Sequence, residues 1–262
     1  MELPSRSFEH IRFAVVDRIA RLELARPPHN VMTLGMLQEM RAALQSLTGM
    51  RGICAVLMTA APGAQAFCAG VDLRELQGAQ AFRTLETFHD LFRALHDSGK
   101  PLVLAVDGPV MGAGCELAAF ADLVVAAEQT IFSQPEIQIG RFPPFASVFL
   151  PRVIGPKRAG EMILTGRYVD ARQALLWGLV NQIVPRDQLG ARTEEILQGM
   201  RQKSAASMEL ACRALRQGIA ADFREVLERV ERLYLEQLLS LDDAAEGLAA
   251  LTAKRRPVWK DK

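Results

Sequence analysis

Little in this sequence points to an anionic macromolecule as partner, since 31 basic and 30 acidic side chains leave a formal charge of +1 over 262 residues. Without an overall field, nucleic acid and membrane surfaces are not expected partners, and any anionic ligand must be met locally. Cysteine is scarce as well. Cys54, Cys68, Cys115 and Cys212 show no metal-type pairing, and the first three lie among apolar or small residues, as buried free thiols of a reducing compartment do. His89 and His96 have no second ligand at metal spacing, so both read as surface or boundary side chains and no metal site is expected. No apolar run reaches the ~18 residues of a membrane span, and Met1 to Arg6 lacks the continuous apolar core of a signal peptide. A cytoplasmic location is the expectation.

What is plentiful is apolar residue, half of the chain, enough to bury one full core. Its patterning is α/β. Phe13–Val16 and Ile19–Leu24 flank Asp17-Arg18 as a hairpin would. Thr33 is placed to cap a helix carrying Leu34, Leu37, Met40, Leu44 and Leu47 on one stripe, with Gly49 as its stop. Ile53–Met58 and Leu102–Val106 are short apolar runs expected as strands buried on both faces. Between them lies a helix with Leu85, Phe88, Phe92 and Leu95 on one face, ended by Gly99 and Pro101. Helices follow near Lys157 to Leu164 and Ala171 to Trp177, then a strand over Leu179–Val184, and from Gln188 onward nearly everything reads as helix. The expected division is an α/β core over residues 1–198 and a helical region over 199–262. In the latter, Leu227, Val230, Tyr234, Leu238 and Leu241 form an apolar face that either packs on its own domain or meets another subunit.

Two stretches carry chemistry. Val110-Met111-Gly112-Ala113-Gly114-Cys115-Glu116 reads as a strand running through small residues into a helix, where free N–H groups suit an oxygen that gains negative charge during a reaction. Glu116 then lies one helical turn inside that site. Ala66-Phe67-Cys68-Ala69-Gly70-Val71-Asp72-Leu73 combines small residues with an acidic one where a second helix begins, and Asp72 also fits as an N-cap. Alone, each reads first as a tight turn or ordinary loop present for structural reasons, and only its neighbours favour a site.

Taken in order and spacing, these stretches, together with Arg26-Pro27 and Asn30, Gln134-Pro135-Glu136, Leu164-Thr165-Gly166, Gly178-Leu179-Val180 and Lys254-Arg255-Arg256-Pro257-Val258, resemble the enoyl-CoA hydratase/isomerase, or crotonase, superfamily over essentially the whole chain. The resemblance implies a crotonase-like spiral of β-β-α repeats with a C-terminal helical region used for trimer formation, the trimers often pairing into hexamers. It implies an acyl-CoA thioester as substrate, with coenzyme A part of the substrate and no further cofactor. It places the oxyanion hole at the N–H groups of Val71 and Ala113; alanine stands where the family usually has glycine, but keeps the N–H. It makes Glu116 and Glu136 the catalytic pair, with Glu136 exchanging the proton at carbon and Glu116 positioning and deprotonating water. Substrate and coenzyme A contacts are expected from Arg26, Ala66, Ala69, Asp72, Lys254 and Lys260. The chain departs from the family at Gly140-Arg141-Phe142-Pro143-Pro144-Phe145-Ala146-Ser147, where hydratases carry Gly-x-x-Pro-Gly-x-Gly-Gly. Pro144 removes an N–H, and Pro144 with Phe145 adds rigid bulk to the acyl pocket, which favours a flat or cyclic acyl group. That segment looks like the cyclohexa-1,5-diene-1-carbonyl-CoA hydratases. Competing readings are a straight-chain hydratase, an isomerase or hydrolase on the same fold, and a non-catalytic relative that contacts RNA, against which the near-zero charge argues.

Overall fold

The computed structural model describes residues 8–220 and 222–260, so the Met1 to Arg6 reading and the extreme ends of the two expected regions lie outside it. β1 (Ile11–Val16) and β2 (Ile19–Leu24) pair antiparallel around Asp17 and Arg18, whose φ of 46° and 66° belong to a tight hairpin turn. α1 (Leu34–Ser46) starts at Thr33, whose side chain accepts from the Met36 N–H, and it buries Leu37, Met40 and Leu44. Then come β3 (Ala55–Ala60) and α2 (Gly78–Ser98), the latter closed by Gly99 in the left-handed region at φ 63°. β4 (Leu102–Val106), β5 (Pro109–Met111) and α3 (Ala113–Phe120) follow. The next turn is β6 (Leu123–Ala127), β7 (Ile131–Ser133), a 3-10 turn over Pro135–Ile139 and α4 (Pro144–Ile154). The remainder is α5 (Pro156–Thr165), β8 (Val169–Asp170), α6 (Ala171–Trp177), β9 (Gln182–Val184), α7 (Leu189–Arg201), α8 (Ala205–Ala220), α9 (Phe223–Arg232) and α10 (Asp242–Thr252).

The strands make two sheets. One has the order β1-β2-β3-β4-β6-β9 and is parallel after its first pair; the other is β5-β7-β8. Two successive turns, β4-β5-α3 and β6-β7-α4, each contribute one strand to the large sheet, one short strand to the small sheet and then a helix, while the β3 turn reaches the small sheet only through a bridge at Cys68. The register of the small sheet is what positions the site. Cys68 bridges Val110 in parallel, and Val110 pairs with Phe132. Three successive turns therefore end side by side, and whatever follows Cys68, Met111 and Ser133 leaves from one edge of the sheet. Ligands in α/β folds collect at such carboxyl ends.

Several expectations need correction. α4 lies where only a rigid Pro143-Pro144 segment was read. Pro144 occupies its first position, where a missing N–H is one that no helix uses, and Pro151 inside it further masks the pattern. The expected boundary at 198 falls within α7, which runs on to Arg201. His89 is no boundary residue: it is fully buried, its Nδ1 bonds Glu231, and Arg93 holds the same carboxylate at 2.9 Å. The helical stripe packs on its own domain at Leu227 and Tyr234, α9 lying against α4, while Leu241 is exposed. All four cysteines are buried and free. Among the described residues, no helix is long and apolar enough to cross a membrane.

Candidate active site

The three adjacent turn ends line one cavity of about 230 Å³. From the first come Ala69, Gly70 and Val71, from the second Gly112, Ala113 and Glu116, from the third Pro135 and Glu136. Met32 takes the backbone groups on either side of Val71, donating to the Gly70 carbonyl at 2.8 Å and accepting from the Asp72 N–H at 2.9 Å. The N–H of Val71 itself therefore faces the other way. Ala113 is the first residue of α3, so its N–H has no acceptor within the helix. The two loops run close together, a Cβ built on Gly70 lying 4.0 Å from the Ala113 nitrogen.

Gly112 is fixed twice over. Its φ is +50°, and a Cβ there would stand 2.5 Å from Glu136 Oε1. The glycine thus exists to let the Glu136 carboxyl lie on the backbone beside Ala113. Glu116, one turn into α3, is only 4% exposed and accepts the Ala146 N–H at 2.8 Å from the start of α4. Glu136 is half-buried with its Oε2 enclosed and unpartnered. Burial pushes Glu136 up to about 7, and burial together with the Glu136 charge pushes Glu116 up to about 8, against the N–H groups of Ala146 and Phe145. Two such carboxyls in one closed site lose their protons as a pair, and one proton is retained near neutrality.

The other expected contacts are scattered. Ala69 lines the cavity. Ala66 is buried, its carbonyl accepting from Asn30 Nδ2 at 3.1 Å. Arg26 donates to the Val31 carbonyl, and Asp72 caps the Leu73–Glu75 turn while pairing with Arg74 at 2.6 Å. Lys254 and Lys260 are exposed, the latter 4.0 Å from Asp242. Pro144 lines the cavity, but Phe145 does not. Its ring is fully buried and stacks on Phe92 at 3.6 Å and on Phe149 at 5.4 Å, so the expectation that it lines the acyl pocket is corrected: as second residue of α4 it points into the core.

Two pocket residues were missed. Arg141 is 3% exposed and Tyr234 2%, and both line the cavity. The one available signal was a lone arginine inside the otherwise apolar stretch from Ile139 to Phe145. Among the described residues, no group of three or more His, Cys, Asp or Glu side chains is placed to share a metal ion.

A sequence profile of the enoyl-CoA hydratase/isomerase family matches residues 15–262. The cyclohexa-1,5-dienecarbonyl-CoA hydratase of Thauera aromatica is 34% identical over 244 residues, 93% of each chain. A probable enoyl-CoA hydratase of Rhizobium meliloti is 32% identical, covering 97% of this chain and 99% of its own. A crystal structure of an enoyl-CoA hydratase/isomerase from Xanthobacter autotrophicus superposes with a TM-score of 0.84 at 28% identity over 94% of each chain. The profile match, these identities and the spiral of β-β-α turns agree: the chain belongs to the enoyl-CoA hydratase/isomerase family, and it is an enzyme of the enoyl-CoA hydratase type.

Proposed function

We propose that the protein adds water across a double bond conjugated with the thioester of an acyl-CoA, and that its preferred acyl group is a cyclic diene, as in cyclohexa-1,5-diene-1-carbonyl-CoA. The observation that carries the reading is the pair of enclosed glutamates, Glu116 and Glu136, beside the N–H groups of Val71 and Ala113. The thioester oxygen accepts from those two N–H groups. Glu116 takes a proton from water as the water oxygen bonds to carbon, and the displaced electron pair moves to the thioester oxygen as an enolate. Glu136 then delivers its proton to the enolate carbon. Burial and the Glu136 charge raise Glu116 above Glu136, so the one retained proton has to pass to Glu136 in the reacting state. There the Ala146 N–H stabilises the charge on Glu116, and the unpartnered Oε2 of Glu136 carries the proton. Preorganised N–H donors of this kind contribute roughly 3–4 kcal/mol each to such a barrier.

For the acyl group, Phe142, Pro143 and Pro144 give the cavity a stiff apolar wall, which suits a flat ring, and the Thauera aromatica relative supports the same choice. Arg26, Ala66, Asp72, Lys254 and Lys260 remain proposed contacts for coenzyme A. The protein also works as a trimer or a pair of trimers in this reading, since Leu164 and Leu176 are 71% and 78% exposed; light scattering giving a monomer would end that part.

The test follows the ultraviolet absorbance of cyclohexa-1,5-diene-1-carbonyl-CoA and, separately, crotonyl-CoA on addition of protein. Loss of the conjugated chromophore with the cyclic substrate, absent in Glu136→Gln, is expected. Turnover of crotonyl-CoA alone would remove the cyclic preference, and turnover of neither would remove hydration itself.

A further inference from the structure

The acyl cavity has a second polar end that the glutamate chemistry does not use. Arg141 makes both of its side-chain hydrogen bonds from Nη1, to the Leu76 carbonyl at 2.9 Å and to the Tyr234 hydroxyl at 3.2 Å. Its Nε is fully enclosed with no acceptor, and Nη2 has none among the described residues. These two nitrogens share one edge of the guanidinium, the side-on fork that matches the two oxygens of a carboxylate. No carboxylate of the described chain pairs with Arg141, although a buried cation is costly without an anion.

The neighbours point the same way. Tyr234 sits on a π turn, Leu233–Gln237, that continues α9, and such turns are frequent at functional sites. Because its oxygen accepts from Arg141, its own hydrogen is left to donate. Thr84, fully buried on α2, also lines the cavity, and its hydroxyl has no partner. Three residues with unused donors thus lie around a cavity whose other polar lining is Glu116, Glu136 and Gln138.

We propose that Arg141, with Tyr234, binds a carboxylate carried by the acyl group away from the thioester, so that the substrate class extends to coenzyme A monothioesters of unsaturated dicarboxylic acids, open-chain or cyclic. This rests on the hydratase reading above and adds the recognition of a second charge. The bound carboxylate replaces the anion that Arg141 lacks, and anchoring it there holds the double bond against Glu116 and Glu136.

The experiment compares matched pairs of thioesters of four to eight carbons, each a 2-enoyl-CoA with and without a terminal carboxylate. For at least one length, the wild-type kcat/KM is expected to favour the carboxylate partner by about 10- to 100-fold, the range for a hydrogen-bonded charge. Arg141→Gln, and Arg141→Lys, which keeps the charge but loses the fork, are expected to collapse that ratio toward one; Tyr234→Phe is expected to reduce it. A wild-type ratio near one at every length overturns the proposal without any variant. So does an Arg141→Gln variant that slows both partners equally and displaces the pH profile, because Arg141 would then serve only as a counter-charge to the glutamates. If no thioester is hydrated, calorimetry with the saturated adipyl-CoA and hexanoyl-CoA separates the two failures: tighter binding of adipyl-CoA, lost in Arg141→Gln, upholds the carboxylate end while hydration falls, and equal binding removes both.

Discussion

The two ends of the cavity are built by different means. At the glutamate end every group proposed to act follows a strand end on the same edge of the small sheet, so the pairing of Cys68 with Val110 and of Val110 with Phe132 sets the relation of Val71, Ala113 and Glu136. At the Arg141 end the partners come from a loop before α4 and from a π turn 93 residues later. The first end is fixed by backbone register and tolerates little change of place. The second rests on two side chains and can be rebuilt without disturbing the sheet, which suits catalysis at one end and substrate choice at the other.

That contrast is open to direct attack. Glu136→Gln keeps the shape and removes the proposed acid, and is expected to lower kcat by about 10²–10⁴-fold, the range for general acid–base groups. Ala113→Pro removes a single N–H at the first position of α3, where proline is tolerated. It is expected to cost about 100-fold or more in kcat while leaving the melting temperature near that of the parent; an unchanged kcat would show that this N–H holds no developing charge.

Stability separates the ends next. Glu116 and Glu136 have folded values raised above the ordinary carboxylate value of 4.5, so folding retains their protons. The stability this gives is fully present below about 4.5 and is lost as pH rises toward about 8. Glu116→Gln, which still offers an oxygen to the Ala146 N–H, should therefore melt higher than the parent, with a gap that widens from pH 5 to about pH 8 and then levels. The gap above that pH is on the order of a few kcal/mol at most. A gap constant with pH would mean that Glu116 is not buried as a raised carboxyl. The smallest effect is at Phe145. Because its ring stacks on Phe92 and Phe149, Phe145→Leu should lose about 1–2 kcal/mol of stability with KM little changed, whereas a ring that lined the pocket would alter KM first.

Much of the fold, with the turn at Gly112 beside the glutamates, was legible because each of these features is local. A hairpin turn at Asp17-Arg18, a cap at Thr33 and small residues around Gly112 each act within a few residues, and the structure uses all three. Register turned those local pieces into a site, and the order of the motifs carried it. The Arg141 end was not legible, since nothing near Arg141 in sequence announces Tyr234. Prolines misled at α4, where Pro143 and Pro144 read as a rigid loop although proline is a good first residue for a helix. That error also sent Phe145 to the pocket, because the side of a helix that a residue faces is unknown until the helix is placed. His89 was missed for the same reason as Tyr234: its partner Glu231 lies 142 residues away.

The central claim is that Glu116 and Glu136 work as a pair holding one proton, and the pH dependence of kcat/KM for the best thioester tests it most directly. With the pair titrating at about 7 and about 8, activity should fall below the first value as both carboxyls become protonated, and above the second as both ionise. The result is a narrow bell whose limbs change in Glu116→Gln. A profile flat from about pH 5 to about pH 10, or a bell unchanged in that variant, would contradict the account.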